Sequence, residues 1–171
     1  IAVASHIFKV YPFDEPNVEL AKKMAFQALD NPSAIKIKPA SDITSALGGL
    51  LKTRTDGDLL AIGAFLPESE KLTDAFSELR AAIGRSTGLA TSFGYGPRYQ
   101  HSTGQLHKGG PDSIMVLVIV GADGPELPIS GEQHNFGEIA FAQASADTAA
   151  LRHSGKRAGL AKIAGDYEAS I

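Results

Sequence analysis

The chain of 171 residues contains no cysteine. That removes disulfides, thiolate nucleophiles and cysteine-ligated zinc together, and it suits a reducing cytoplasm. There is no strong bias of charge: 16 Lys and Arg stand against 19 Asp and Glu, a net charge of −3. A general basic field for nucleic acid is therefore lacking. Long hydrophobic runs are missing too, since the longest, IMVLVIV at 114–120, falls far short of the roughly 20 residues a membrane helix needs. The sequence has no initiating methionine and no basic start leading into an apolar stretch, as a signal peptide would have. No Walker A pattern and no Gly-x-Gly-x-x-Gly occurs, which sets aside the common nucleotide-binding loops. The expectation is a soluble, cytoplasmic piece of a longer chain that binds neither nucleic acid nor membrane.

What is present is ordinary globular material, 43% hydrophobic and 20% charged, enough to bury a core. HIFKVY at 6–11 alternates and carries β-branched and aromatic residues, so it reads as a short strand ending at Pro12. A helix over 15–30 follows, with Asp14 as its cap, Pro16 in the first turn, Glu15 and Glu19 at its positive end, and Val18, Ala21, Ala25 and Leu29 as an apolar stripe. This helix needs a sheet to cover, which the lone strand does not supply. The pattern further predicts a short helix around 41–52, strands at 59–66, 89–95 and 113–120, and a helix at 69–88 closing at Gly88. A turn-rich stretch at 122–133 with a short edge strand follows, then a helix at 136–152 with Phe136, Ile139, Ala142, Ala146 and Ala150 inward. HSGKR at 153–157 reads as a helix C-terminus with basic residues at the negative end of the dipole. The fold class expected is α/β (α+β): a mixed sheet of about four strands with packed helices.

Between two of these strands lies GPRYQHSTGQLHKGGP, residues 96–111. It is longer than most connections in a compact domain, and Tyr95, Tyr99 and Leu106 give it anchors. One reading is a sugar or phosphate site, with Arg98 as a bidentate contact and Lys108 as a point charge. Ser102 and Thr103 would add donors, and Gly104, Gly109 and Gly110 would let backbone N–H groups approach an anion. The other is a connection whose polar groups satisfy one another at a domain or subunit contact. His101 and His107 are six positions apart with no carboxylate between them, which argues against a metal pair. Lys22 borders the apolar stripe of its helix, four residues after Val18. It is either a snorkelling lysine or a partly desolvated acid or anion contact.

YPFDEPNVELAKK at 11–23 resembles the C-terminal signature of phosphoglucose isomerases, in which a Phe-Asp-Gln segment runs into a Val-Glu-Leu-x-Lys helix. Phe13, Asp14, Val18, Glu19, Leu20 and Lys22 match; Glu15, Pro16 and Asn17 depart from the family's Gln, Trp and Gly. GYGPRYQHSTGQLHKGGP at 94–111 and FGEIAFAQASADTAAL at 136–151 are similar to blocks in the last domain of fused transaldolase/phosphoglucose isomerase proteins. The resemblance implies that 1–32 are the final strand and helix of a sugar-isomerase domain and that 33–171 form a C-terminal α/β domain.

It also implies the interconversion of glucose 6-phosphate and fructose 6-phosphate through a cis-enediol, with no metal or organic cofactor. Lys22 would assist ring opening. The catalytic glutamate, the ring-opening histidine and the phosphate cradle would lie in missing N-terminal domains of the parent chain, leaving this chain inactive alone. His107 and Lys108 are candidates to join catalysis, and Arg98, His101, Ser102, Thr103 and Gln105 to bind substrate. The partners so implied are sugar phosphates, those missing domains and a second copy in a homo-oligomer. Two alternatives stand beside this reading, a non-catalytic assembly domain of the same enzyme and a free-standing sugar-phosphate binding module.

Overall fold

A computed structural model of the chain describes residues 1–13, 16–122 and 127–171. Its centre is a four-stranded sheet, β1 (Leu59–Phe65), β2 (Ala90–Tyr95), β3 (Ile114–Gly121) and β4 (Arg157–Ile163), in the spatial order β2-β1-β3-β4. The expected α/β class with about four strands and packed helices is borne out, and every neighbouring pair is parallel, so the sheet is parallel throughout instead of mixed. Parallel sheets are covered on both faces and their strands read as continuous apolar runs; β3 is that case, with residues 114–120 buried throughout.

Side-chain alternation sorts the sheet into two cores. Leu60, Ile62, Met115, Leu117 and Ile119 pack on one face against α3 (Ile43–Leu51) and α4 (Glu70–Thr87). Val116, Val118, Val120 and Leu160 pack on the other against Tyr99 and against Ala144 and Leu151 of α6 (Phe136–His153). Local signals set the helix ends: Ser69 caps α4, whose last turn closes on Gly88 at φ 75°, and Asn135 with Glu138 forms a capping box on α6. The chain leaves β1 through α4 on one face, then crosses back over β1 and on to β4 through segments on the other. Right-handed crossovers impose that change of face when the winding direction reverses. The reversal falls between β1 and β3, and in open α/β sheets ligands bind outside the carboxyl ends of the strands at such a point.

Helix α2 (Pro16–Asp30) matches its predicted span, with Val18, Ala21 and Ala28 buried. Its expected cap Asp14, with Glu15, lies outside the described residues. Its cover is α6 and the β2–β3 crossover, not a sheet. Enclosed between sheet and α2, α6 is buried nearly all round from Ala142 to Leu151, which suits its run of alanines; Phe136, expected inward, is exposed.

Three further expectations, about where strands form, are corrected. Residues 6–11 are not a strand: α1 (Ala2–Phe8) is a short helix ended by Lys9 at φ 54°. A lone strand has no partner for its backbone, whereas a helical turn satisfies its groups locally, as Ser5 does by donating from both N–H and Oγ to the Ile1 carbonyl. The fourth strand comes from 157–163, where only a helix end was expected. Its small residues hid it, and Leu50 of α3 lies close to Gly159 of the strand. No strand forms among the described residues of 122–133, where Pro128 makes a single bridge to Asn135.

On the outer edge of β4, Ala40 donates to the Leu160 carbonyl and accepts from Lys162 N–H, and Arg152 Nε donates to the Ala158 carbonyl. Among the described residues no helix is long and apolar enough to cross a membrane.

Candidate functional site

The 96–111 connection is helical rather than open loop. After Pro97 it forms a π-helical turn, Gln100–Gly104, and then α5 (Gln105–Gly109). Ser102 Oγ and Thr103 Oγ1 each donate to the Tyr99 carbonyl at 3.1 Å, so the two hydroxyls expected to meet a ligand fold the turn onto its own first residue. The glycines serve packing. A Cβ on Gly109 would lie 2.7 Å from Asn17 Nδ2, and one on Gly104 3.3 Å from Val18 Cγ2. Gln105 accepts from the Asn17 N–H at 3.2 Å and ties α5 to the start of α2.

Beneath the turn lies a buried polar cluster. Asp147 of α6 accepts a hydrogen bond from the Tyr99 hydroxyl on one oxygen and forms an ion pair with the Lys108 ammonium through the other. Lys108 and Asp147 have side-chain exposures of 0% and 1%, so solvent does not reach the ammonium. Burial, then the Asp147 charge beside it, pushes the Tyr99 hydroxyl well above the usual tyrosine range. Burial first, and then the Lys108 charge, lowers His107, which keeps the ring neutral at pH 7; its Nδ1 has no hydrogen-bond partner among the described residues. The two residues expected to join catalysis, His107 and Lys108, are thus inside the protein.

Lys22 and His101 do come together at the surface. Both line a groove of about 390 Å³ between α2, the π turn and α6, with Gln100 and Gln143 as further polar groups and Phe26 and Ile139 as apolar walls. The Lys22 ammonium lies 2.5 Å from Glu19, one turn earlier, and its hydrogen bond, more than its charge, lowers the Glu19 carboxyl. Through Pro97, Ile139 and Gln143 this groove meets a second one, of about 460 Å³, between Phe65, Gly96, Gly121 and Phe136. That second groove sits at the carboxyl ends of β1, β2 and β3, the switch point of the sheet.

Arg98 points elsewhere. Its guanidinium donates to Glu68 at 2.8 Å on the surface, beside a separate groove that also holds Ser102 and Thr103. Among the described residues no group of three or more His, Asp or Glu side chains is arranged to hold a metal ion. Sequence reasoning missed Asp147, Gln100 and Gln143. The available signal was a lone carboxylate in the alanine-rich FAQASADTAAL, one turn after Gln143, because a buried charge is kept only where a partner meets it.

No family model matches the chain, and no curated protein matches it. Among solved structures it is similar to the crystal structure of a hypothetical protein, TT0462, from Thermus thermophilus. The TM-score is 0.55 at 18% identity, over 81% of this chain and 38% of that one. At that identity the likeness shows the fold, a parallel α/β sheet with helices on both faces, and this chain spans well under half of the longer protein.

Proposed function

We propose that the chain is the C-terminal part of an aldose-ketose isomerase acting on glucose 6-phosphate and fructose 6-phosphate, in which it supplies the wall of the site that carries Lys22. The observation that supports this reading is the placement of the signature lysine. Lys22 is half exposed and held by Glu19, in a ligand-sized groove that also carries His101, Gln100 and Gln143. An ammonium there can donate a hydrogen bond to the ring oxygen as the C1–O bond opens, and amide and imidazole groups around it suit sugar hydroxyls. The proton transfer between C1 and C2 requires a carboxylate base from outside the chain, as does the phosphate cradle.

The test is Lys22→Ala in the complete enzyme. General acid groups contribute on the order of 10²–10⁴-fold, so kcat should fall at least a hundredfold with oligomeric state unchanged. A loss of less than tenfold overturns the reading, as would substantial isomerase activity of the isolated chain.

A second reading, an assembly domain of the same enzyme, draws on the first 13 residues. Ile1, Val3, Ile7, Phe8, Val10, Tyr11 and Phe13 are between 58% and 90% exposed, an apolar surface of the kind interfaces use. Replacing Ile7 and Phe8 by serine separates the two: loss of association with turnover retained favours assembly, and loss of neither removes it.

A further inference from the structure

We infer that Asp147 is a positioning residue for the Lys22 groove: through Tyr99 and Lys108 it fixes the π-helical turn that carries Gln100 and His101 on the groove wall. The inference rests on the reading of that groove as a sugar-phosphate site.

The geometry is a two-point clamp. Tyr99 immediately precedes the turn Gln100–Gly104, and Lys108 lies in the helix that follows it. Both reach back to the same carboxylate on α6. One side chain of a long, buried helix therefore pins both ends of residues 99–108. Between the pinned ends, Gln100 and His101 line the groove, and Gln143, one turn before Asp147 on α6, lines it as well. The clamp and the groove are thus two sides of the same pair of elements.

Two further observations fit a positioning role better than a purely cohesive one. The turn is π-helical, a rare geometry found mostly as single turns and frequently at functional sites. Buried ion pairs are also a poor source of stability, because desolvating both charges offsets their attraction and apolar replacements of similar volume are often neutral or better. What an ion pair with a shared hydrogen bond supplies is direction.

The experiment is amide hydrogen exchange on the folded chain, together with fructose 6-phosphate titration at 10 °C. Asp147→Asn strands an ammonium and is open to failure in folding. The decisive variant is therefore Tyr99→Phe/Lys108→Met/Asp147→Leu, which exchanges the cluster for apolar groups of similar volume, with Tyr99→Phe as the mildest probe. In the triple variant, protection of residues 100–104 should fall at least tenfold while β1 and β3 keep theirs. Affinity for fructose 6-phosphate should fall at least tenfold at a temperature where the variant is fully folded. Unchanged protection of 100–104 overturns the inference, and so does an equal loss across the sheet, which would mark the cluster as a source of global stability only. If the wild-type chain shows no saturable binding, the affinity comparison moves to the complete enzyme, whose phosphate cradle lies outside this chain, and the exchange data still decide the positioning by themselves.

Discussion

Gly63 and Gly94 face each other in register across β1 and β2, and the ring of Tyr99 lies over both. A Cβ at Gly63 would sit 2.6 Å from Tyr99 Cε1, and one at Gly94 2.8 Å from Tyr99 Cβ. The ring is buried and its hydroxyl is held by Asp147, so it has nowhere to retreat. Overpacking of this kind costs about 1–3 kcal/mol. Gly63→Ala and Gly94→Ala should each lower stability by that amount in urea unfolding, with an unchanged slope. A midpoint equal to wild type would show that the ring has another place to go.

Lys108→Met should be far more damaging than its volume change suggests. It leaves the Asp147 carboxylate buried with only the Tyr99 hydroxyl, and breaking a buried ion pair from one side costs about 3–5 kcal/mol. Adding Asp147→Asn removes the stranded charge and keeps an acceptor for Tyr99, so the double variant should recover at least about 1 kcal/mol relative to Lys108→Met. Strict additivity of the two substitutions would contradict the pairing.

At the other end of the sheet, Arg157 at the start of β4 grips Asp58 before β1 with contacts of 2.5 and 2.7 Å. Arg157's hydrogen bonds, against the opposing effect of burial, hold the Asp58 carboxyl at about 2. A folded-state value below the unfolded one near 3.9 gives stability that is present above about pH 4 and lost as pH falls toward 2. The Asp58 share should be about 2–3 kcal/mol. Comparing wild type with Asp58→Asn, the difference in stability should be constant from pH 7 to 5 and shrink below pH 4. A difference that persists undiminished at pH 2 would show that the carboxylate charge is not its source.

Arg98→Ala should change little. The Arg98–Glu68 pair is exposed on both sides, at 71% and 57%, and such pairs contribute at most about 1 kcal/mol. Because Arg98 lines a different groove from Lys22, affinity for fructose 6-phosphate should stay within twofold of wild type. A tenfold loss would return Arg98 to the substrate.

The elements legible in the sequence were those with strong periodicity and punctuation. β3 is an uninterrupted apolar run, α4 has Ser69 before it and Gly88 after it, and α2 carries a regular stripe. β4 was hidden because RAGLAKI has only Leu160 and Ile163 as large apolar residues. The N-terminal strand was misread because HIFKVY has the composition of a strand without a neighbour to pair with, a condition that only tertiary structure reveals. At the site, residue types at 96–111 marked the right segment, but its polarity was assigned outward. Ser102 and Thr103 spend their hydroxyls on the Tyr99 carbonyl, and Lys108 turns inward to Asp147, because those partners are created by the π turn and by a helix some 40 residues later. No local pattern contains that pairing.

The backbone on the free side of β4 has consequences for self-association. An unpaired strand edge is a template on which another molecule can extend the sheet. Here the carbonyls of Ala158 and Leu160 and the N–H of Lys162 are already occupied by Arg152 and Ala40 of the same chain. Strand exchange or fibre growth along this edge would first have to break those contacts within the chain.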